Sequence, residues 1–118
     1  MLTAIALFED AVKQAPEFAA GWSSLSLTYE VVRGYTTAPE RVGLGDVEAK
    51  CRDAALRANA LDPDAAMTLH AMGNVARMEF RYAEAERLFE RAMAVDPTYP
   101  DVREDHSELL SIVGRDQE

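Results

Sequence analysis

Cysteine is almost absent. Cys51 is the only one in 118 residues, which removes any intramolecular disulfide and any cysteine-based zinc cluster. Positive charge is also scarce. Lys+Arg number 12 against 21 Asp+Glu, a formal net charge of −9, and an acidic surface repels phosphate backbones and anionic lipid headgroups. Neither a nucleic-acid partner nor a membrane surface is expected. No apolar run approaches the ~20 residues that a membrane-spanning helix needs. The opening Met-Leu-Thr-Ala-Ile-Ala-Leu-Phe meets Glu9 and Asp10 with no basic residue before it, which is not the pattern of a signal peptide. What remains is 48% hydrophobic and 28% charged, neither disordered nor collagen-like, and long enough to build its own core. The expectation is one soluble, cytoplasmic domain over residues 1–118.

The chain repeats itself. Ala4, Phe8, Ala11 and Pro16 share their spacing with Cys51, Ala55, Ala58 and Pro63, and again with Ala85, Phe89, Ala92 and Pro97. Each set predicts a helix with one apolar stripe, because i, i+4, i+7 follows the 3.6-residue period. Each helix should stop ahead of its proline, which disfavours helical backbone in the residue before it. Eleven residues after Ala11, Ala58 and Ala92 a second helix pattern begins. It runs Trp22, Leu25, Ser26, Tyr29, then Leu69, Met72, Gly73, Ala76, and finally a degraded Arg103, His106, Ser107, Leu110. Ser26 and Gly73 should let a neighbouring helix come close, and Leu69, Met72, Gly73 and Ala76 should face the second helix of their pair.

On these residues the chain resembles a known family. The span 66–99, with Leu69, Met72, Gly73, Ala76, Tyr82, Ala85, Phe89, Ala92 and Pro97 in order, is similar to one complete tetratricopeptide repeat of 34 residues. The unit opening near Ala19 with Trp22, Leu25 and Tyr29 follows the same pattern. Pro16, Pro63 and Pro97 lie 47 and 34 residues apart, so thirteen extra residues sit inside that unit. The resemblance implies an all-α, right-handed α-solenoid of antiparallel helix pairs, about two full repeats plus a half repeat at each end. The expected organisation is a half repeat over 2–17, a long repeat over 19–65, a standard repeat over 66–99 and a C-terminal capping helix over 100–114. Within the long repeat, an inserted loop at about 33–47 carries Gly34, Pro39, Gly43 and Gly45. A short helical turn is expected near Thr36–Glu40, and the next helix resumes near Val47. The loop reads as a surface elaboration or a partner-binding loop.

In such arrays the flank of each first helix turned away from its partner lines a concave groove that holds a peptide. Carried over, that groove comprises Leu27, Glu30, Met67, His70, Asn74, Arg77, Met78, Asp101, Glu104 and Glu108, with Ser23 and Val31 on the same flank. Some co-chaperone members grip a C-terminal carboxylate there with lysines, asparagines and an arginine. Asn74 and Arg77 are of suitable type, but the lysines are missing and Ser23 and Leu27 replace polar clamps, so a ligand with a basic segment and apolar side chains fits better. The resemblance thus implies a non-catalytic protein–protein interaction scaffold. The competing expectation is a structural or oligomerisation segment of a larger signalling or enzyme chain, with self-association through Ile5 and Phe8 of the N-terminal helix.

Chemistry-bearing residues are few. Cys51 takes the place of Ala4 and Ala85 in the helix stripe, so a small buried core residue is expected rather than a reactive thiol. His70 and His106 have no third metal ligand at useful spacing, and neither belongs to a His-Glu-x-x-His motif. Glu84, Glu86 and Glu90 alternate with Arg87 and Arg91 as a solvated helix face should. No enzyme, cofactor or metal is expected on these grounds.

Overall fold

Proline marks three helix ends. A computed structural model describes residues 2–35 and 44–114, and among them six α-helices and no strand occur. They are α1 (Leu2–Gln14), α2 (Ala19–Tyr35), α3 (Val47–Leu61), α4 (Ala66–Met78), α5 (Tyr82–Val95) and α6 (Asp101–Ile112). The helices α1, α3 and α5 each stop two residues ahead of Pro16, Pro63 and Pro97. The amides of Ala15, Asp62 and Asp96 make the last i→i−4 bonds, to Ala11, Ala58 and Ala92, and the proline ring has no amide hydrogen to continue them. Asp46 starts α3, its carboxylate accepting from the Ala49 amide at 3.1 Å, an N-cap that satisfies one of the unpaired first-turn donors. Beyond α6, Gly114 adopts φ +76°, the left-handed conformation that closes many helices. The short turn expected near Thr36–Glu40 lies outside the described residues.

Successive helices pack side by side. The closest pairs are α2 with α3 and α4 with α5, while α1 lies on α2 and α6 lies on α5. α4 also touches both α2 and α6, and the three form an inner layer. No helix among the described residues is long and apolar enough to cross a membrane. This is an all-α helical repeat.

Two apolar clusters hold the stack. In one, Ile5 and Val12 of α1 join Leu25, Tyr29 and Val32 of α2, Cys51 and Ala55 of α3, and Ala71 and Val75 of α4. In the other, Leu69 and Ala76 of α4 meet Ala85, Phe89 and Ala92 of α5 and Val102 and Leu109 of α6. The close approaches fall at Ser26, whose hydroxyl donates to the Cys51 carbonyl at 2.8 Å, and at Gly73, where the Phe89 ring occupies the space a side chain would take.

Three expectations are corrected by this packing. Met72 belongs to the edge of the first cluster, not to the α4–α5 contact. At 100° per residue it lies about 60° from Leu69, on the side turned to the preceding pair. Ala11 is exposed although Ala58 and Ala92 are fully buried. The reason is that α3 and α5 each have their own first helix packed against that stripe, whereas α1 meets α2 and turns Ile5 and Val12 inward. Finally, Ile5 is 2% exposed and Phe8 packs on the same internal cluster. Both are used within the chain, and among the described side chains of α1 the large apolar one left exposed is Leu7, at 66%.

Candidate functional site

The inner layer encloses an open cavity of about 300 Å³. Its walls are Leu27, Glu30 and Val31 from α2, His70, Asn74 and Arg77 from α4, and Asp101, Glu104, Asp105 and Glu108 from α6. The three helices supply residues at i, i+3, i+4 and i+7 spacings because each presents one stripe to the same side.

Arg77 is the hub. Its guanidinium lies 2.9 Å from Glu30 Oε1, 3.3 Å from Glu108 Oε2 and 4.0 Å from Asp105 Oδ1. Glu30 in turn accepts two bonds from Arg33, at 3.1 Å each. All three inner helices are therefore joined through one cation, and the side chains of Arg77 and Glu30 are only 11% and 13% exposed. Arg77 was expected to meet a ligand. Its charge is instead spent on carboxylates of its own chain.

His70 is buried beside this hub. Its Nε2 lies 2.5 Å from Asp105 Oδ2, and its Nδ1 lies 2.8 Å from the Tyr99 hydroxyl. Both ring nitrogens are thus occupied, so the imidazole ties α4 to α6 and to the α5–α6 turn. Burial works to push the Asp105 carboxyl up, but the His70 bond, the Arg77 charge and the Asn74 amide outweigh it, and the group is held below the usual carboxylate range. Tyr99 is pushed above the ordinary phenol range by burial and by the nearby Asp101 and Asp105.

Asn74 is 2% exposed. Its amide helps to hold the Asp105 carboxyl low, and its Oδ1 has no hydrogen-bond partner. A buried acceptor without a donor costs about 1–3 kcal/mol, and the residue that carries it is one of the cavity's walls. Five lining carboxylates face a single guanidinium, so the cavity attracts cations. A C-terminal carboxylate would meet repulsion here, in keeping with the missing lysines.

Of the residues expected on the groove, Leu27, Glu30, His70, Asn74, Arg77, Asp101, Glu104 and Glu108 share this cavity. Met67 does not. It lines a separate depression between the α1–α2 and α3–α4 turns, beside Phe18 and Leu61. Met78 lines an adjoining hollow with Phe80 and Ile112, which shares Arg77 and Glu108 with the main one. Ser23 is fully buried between repeats, 3.3 Å from the Thr68 hydroxyl. Asp105 was missed, although it lies four residues after Asp101 and three before Glu108 and so falls on their stripe.

Cys51 offers no nucleophile. It is fully buried, and burial pushes its thiol up to about 11. Comparison with curated proteins finds no match. Residues 66–99, which span α4, α5 and the turn into α6, match the family model described as tetratricopeptide repeat, so this segment is similar to one such repeat.

Proposed function

We propose that the chain is a non-catalytic protein-interaction module whose inner wall holds a peptide with a basic segment against α6 and apolar side chains against α2. The excess of acid on the inner wall carries this reading, because five lining carboxylates against one guanidinium are matched by an incoming cationic side chain. The tetratricopeptide repeat supports the class, since such repeats serve as scaffolds for protein partners. The exposed acids support the polarity. Glu104 and Glu108 are not consumed inside the core, and Val31, 42% exposed, provides apolar surface at the other end. A preformed wall lowers the ordering cost of binding.

Fluorescence anisotropy with a labelled peptide that alternates arginine and leucine tests this. Binding should weaken as salt rises through the physiological range, because the attraction acts between solvated charges. Glu104→Lys should weaken it about tenfold, a coupling of ~1.4 kcal/mol. Binding that ignores both salt and Glu104→Lys would remove the proposal. Arg77→Ala is a poor probe of capture, since it disturbs the internal hub.

A second reading rests on Leu7 and Phe18, 66% and 61% exposed near the same end of the stack. Exposed apolar side chains of this size suit an assembly contact. Under that reading size-exclusion chromatography with light scattering gives a dimer or larger species, and Leu7→Asp returns it to monomer. A monomer at high concentration excludes it.

A further inference from the structure

Folding brings two carboxylates and an imidazole together across the α5–α6 boundary. Glu86 and Glu90 are one turn apart on α5, so their side chains leave the same face of the helix. His106 of α6 meets them with its ring edge set against Phe89, centroids 6.5 Å apart. One ligand atom from each of the three lies within 4.8 Å of the other two, and His106 Nε2 is 4.0 Å from Glu90 Oε1.

The second observation concerns that nitrogen itself. His106 Nε2 is buried and has no hydrogen-bond partner, and at 4.0 Å the Glu90 carboxylate is beyond hydrogen-bond range. An imidazole nitrogen without a hydrogen-bond partner thus lies beside the Glu90 carboxylate, within a cluster that Glu86 completes.

We propose that Glu86, Glu90 and His106 form a binding site for a divalent transition cation of the zinc class. Zinc takes histidine nitrogen at about 2.0–2.1 Å and carboxylate oxygen at about 2.0–2.2 Å, so three such ligands around one tetrahedral ion stand ~3.3–3.5 Å apart. The observed spacing, up to 4.8 Å, needs a closure of up to about 1.5 Å, which side-chain rotation of Glu90, 57% exposed, supplies. Two carboxylates balance the double positive charge, and the imidazole selects against magnesium and calcium, which prefer oxygen-only shells. The fourth position is left to water. Bound there, the ion would clamp α6 to α5 and hold in place the helix that carries Asp101, Asp105 and Glu108.

Titration calorimetry of the full chain with zinc chloride in a non-chelating buffer tests the site. The expected result is one saturable event per chain, weakened about tenfold or more by His106→Gln and by Glu90→Gln. Nitrogen-15 imidazole spectra should show zinc moving the His106 Nε2 signal and leaving the His70 nitrogens in place. No saturable binding, undiminished binding by Glu90→Gln, or a zinc shift at His70 instead would each overturn the proposal. Should His106→Gln fail to fold by circular dichroism, Glu90→Gln decides the matter, because it alters only an exposed carboxylate.

Discussion

Phe89 fills the notch left by Gly73. A Cβ at Gly73 would stand 2.5 Å from Phe89 Cε1 and 2.6 Å from Cδ1, and the ring cannot retreat because Phe89 is fully buried against α4 and α6. The absence of a side chain at one position is thus the condition for the largest fully buried side chain, among the described residues, at another. The pair sets how closely α4 approaches α5.

Gly73→Ala therefore opposes two effects. Replacing a mid-helix glycine gains ~1 kcal/mol of helix propensity, whereas overpacking a tight core costs about 1–3 kcal/mol. With the contact at 2.5 Å the second should win, and urea unfolding should show a net loss of ~1 kcal/mol or more. The double variant Gly73→Ala with Phe89→Leu should lose less than the sum of the two single changes, which a double-mutant cycle reads directly.

Removing Arg77 should cost stability. Glu30, Asp105 and Glu108 converge on its guanidinium, and Arg77→Ala leaves three carboxylates facing one another. Complete burial of an abandoned charge costs ~3–5 kcal/mol, and partial exposure reduces this to about 2 kcal/mol. Chemical denaturation checks the value. Added salt should recover part of the loss, since it screens the remaining repulsion.

Acid should weaken the inner layer through Asp105. Its folded-state carboxyl is held below the ordinary value, so its stabilisation is present in full above the unfolded pKa of about 3.9 and is lost as pH falls through the lower folded value. Stability of the native chain should decline below about pH 5. Asp105→Asn, less stable at neutral pH, should show a flatter decline over the same acid range by thermal melts.

Cys51 should be inert in the folded chain. The thiol is fully buried, raised to about 11 by burial, and within reach of the Ser26 carbonyl and hydroxyl. A disulfide reagent near pH 8 should react on the timescale of opening rather than of chemistry. Strong guanidinium should restore the rate of a free thiol, and immediate reaction under native conditions would contradict this packing.

The local parts of this structure were legible because helices are written in short-range spacing. The alternation of Ala85, Phe89 and Ala92, and the prolines at 16, 63 and 97, mark where α5 and the other second helices run and stop. The same period placed Asn74, Arg77 and Glu108 on inward flanks. It failed at the edges of those flanks. Met72 lies about 60° from Leu69, toward the preceding pair, and Met67 and Met78 were drawn into a cavity that neither of them lines, because periodicity says which residues share a stripe but not where a neighbouring helix ends.

The sequence by itself determined the helical repeat, its proline punctuation, the small residues at Ser26 and Gly73, and the excess of acid along α6. Tertiary structure alone decided that Arg77 is neutralised from within, that His70 is saturated by Asp105 and Tyr99, and that His106 comes to face Glu86 and Glu90. The physical reason is one of range. Helix formation depends on neighbours within a turn or two, while each of those contacts joins residues at least sixteen positions apart. Their meeting depends on how closely, and at what rotation, one helix packs against the next.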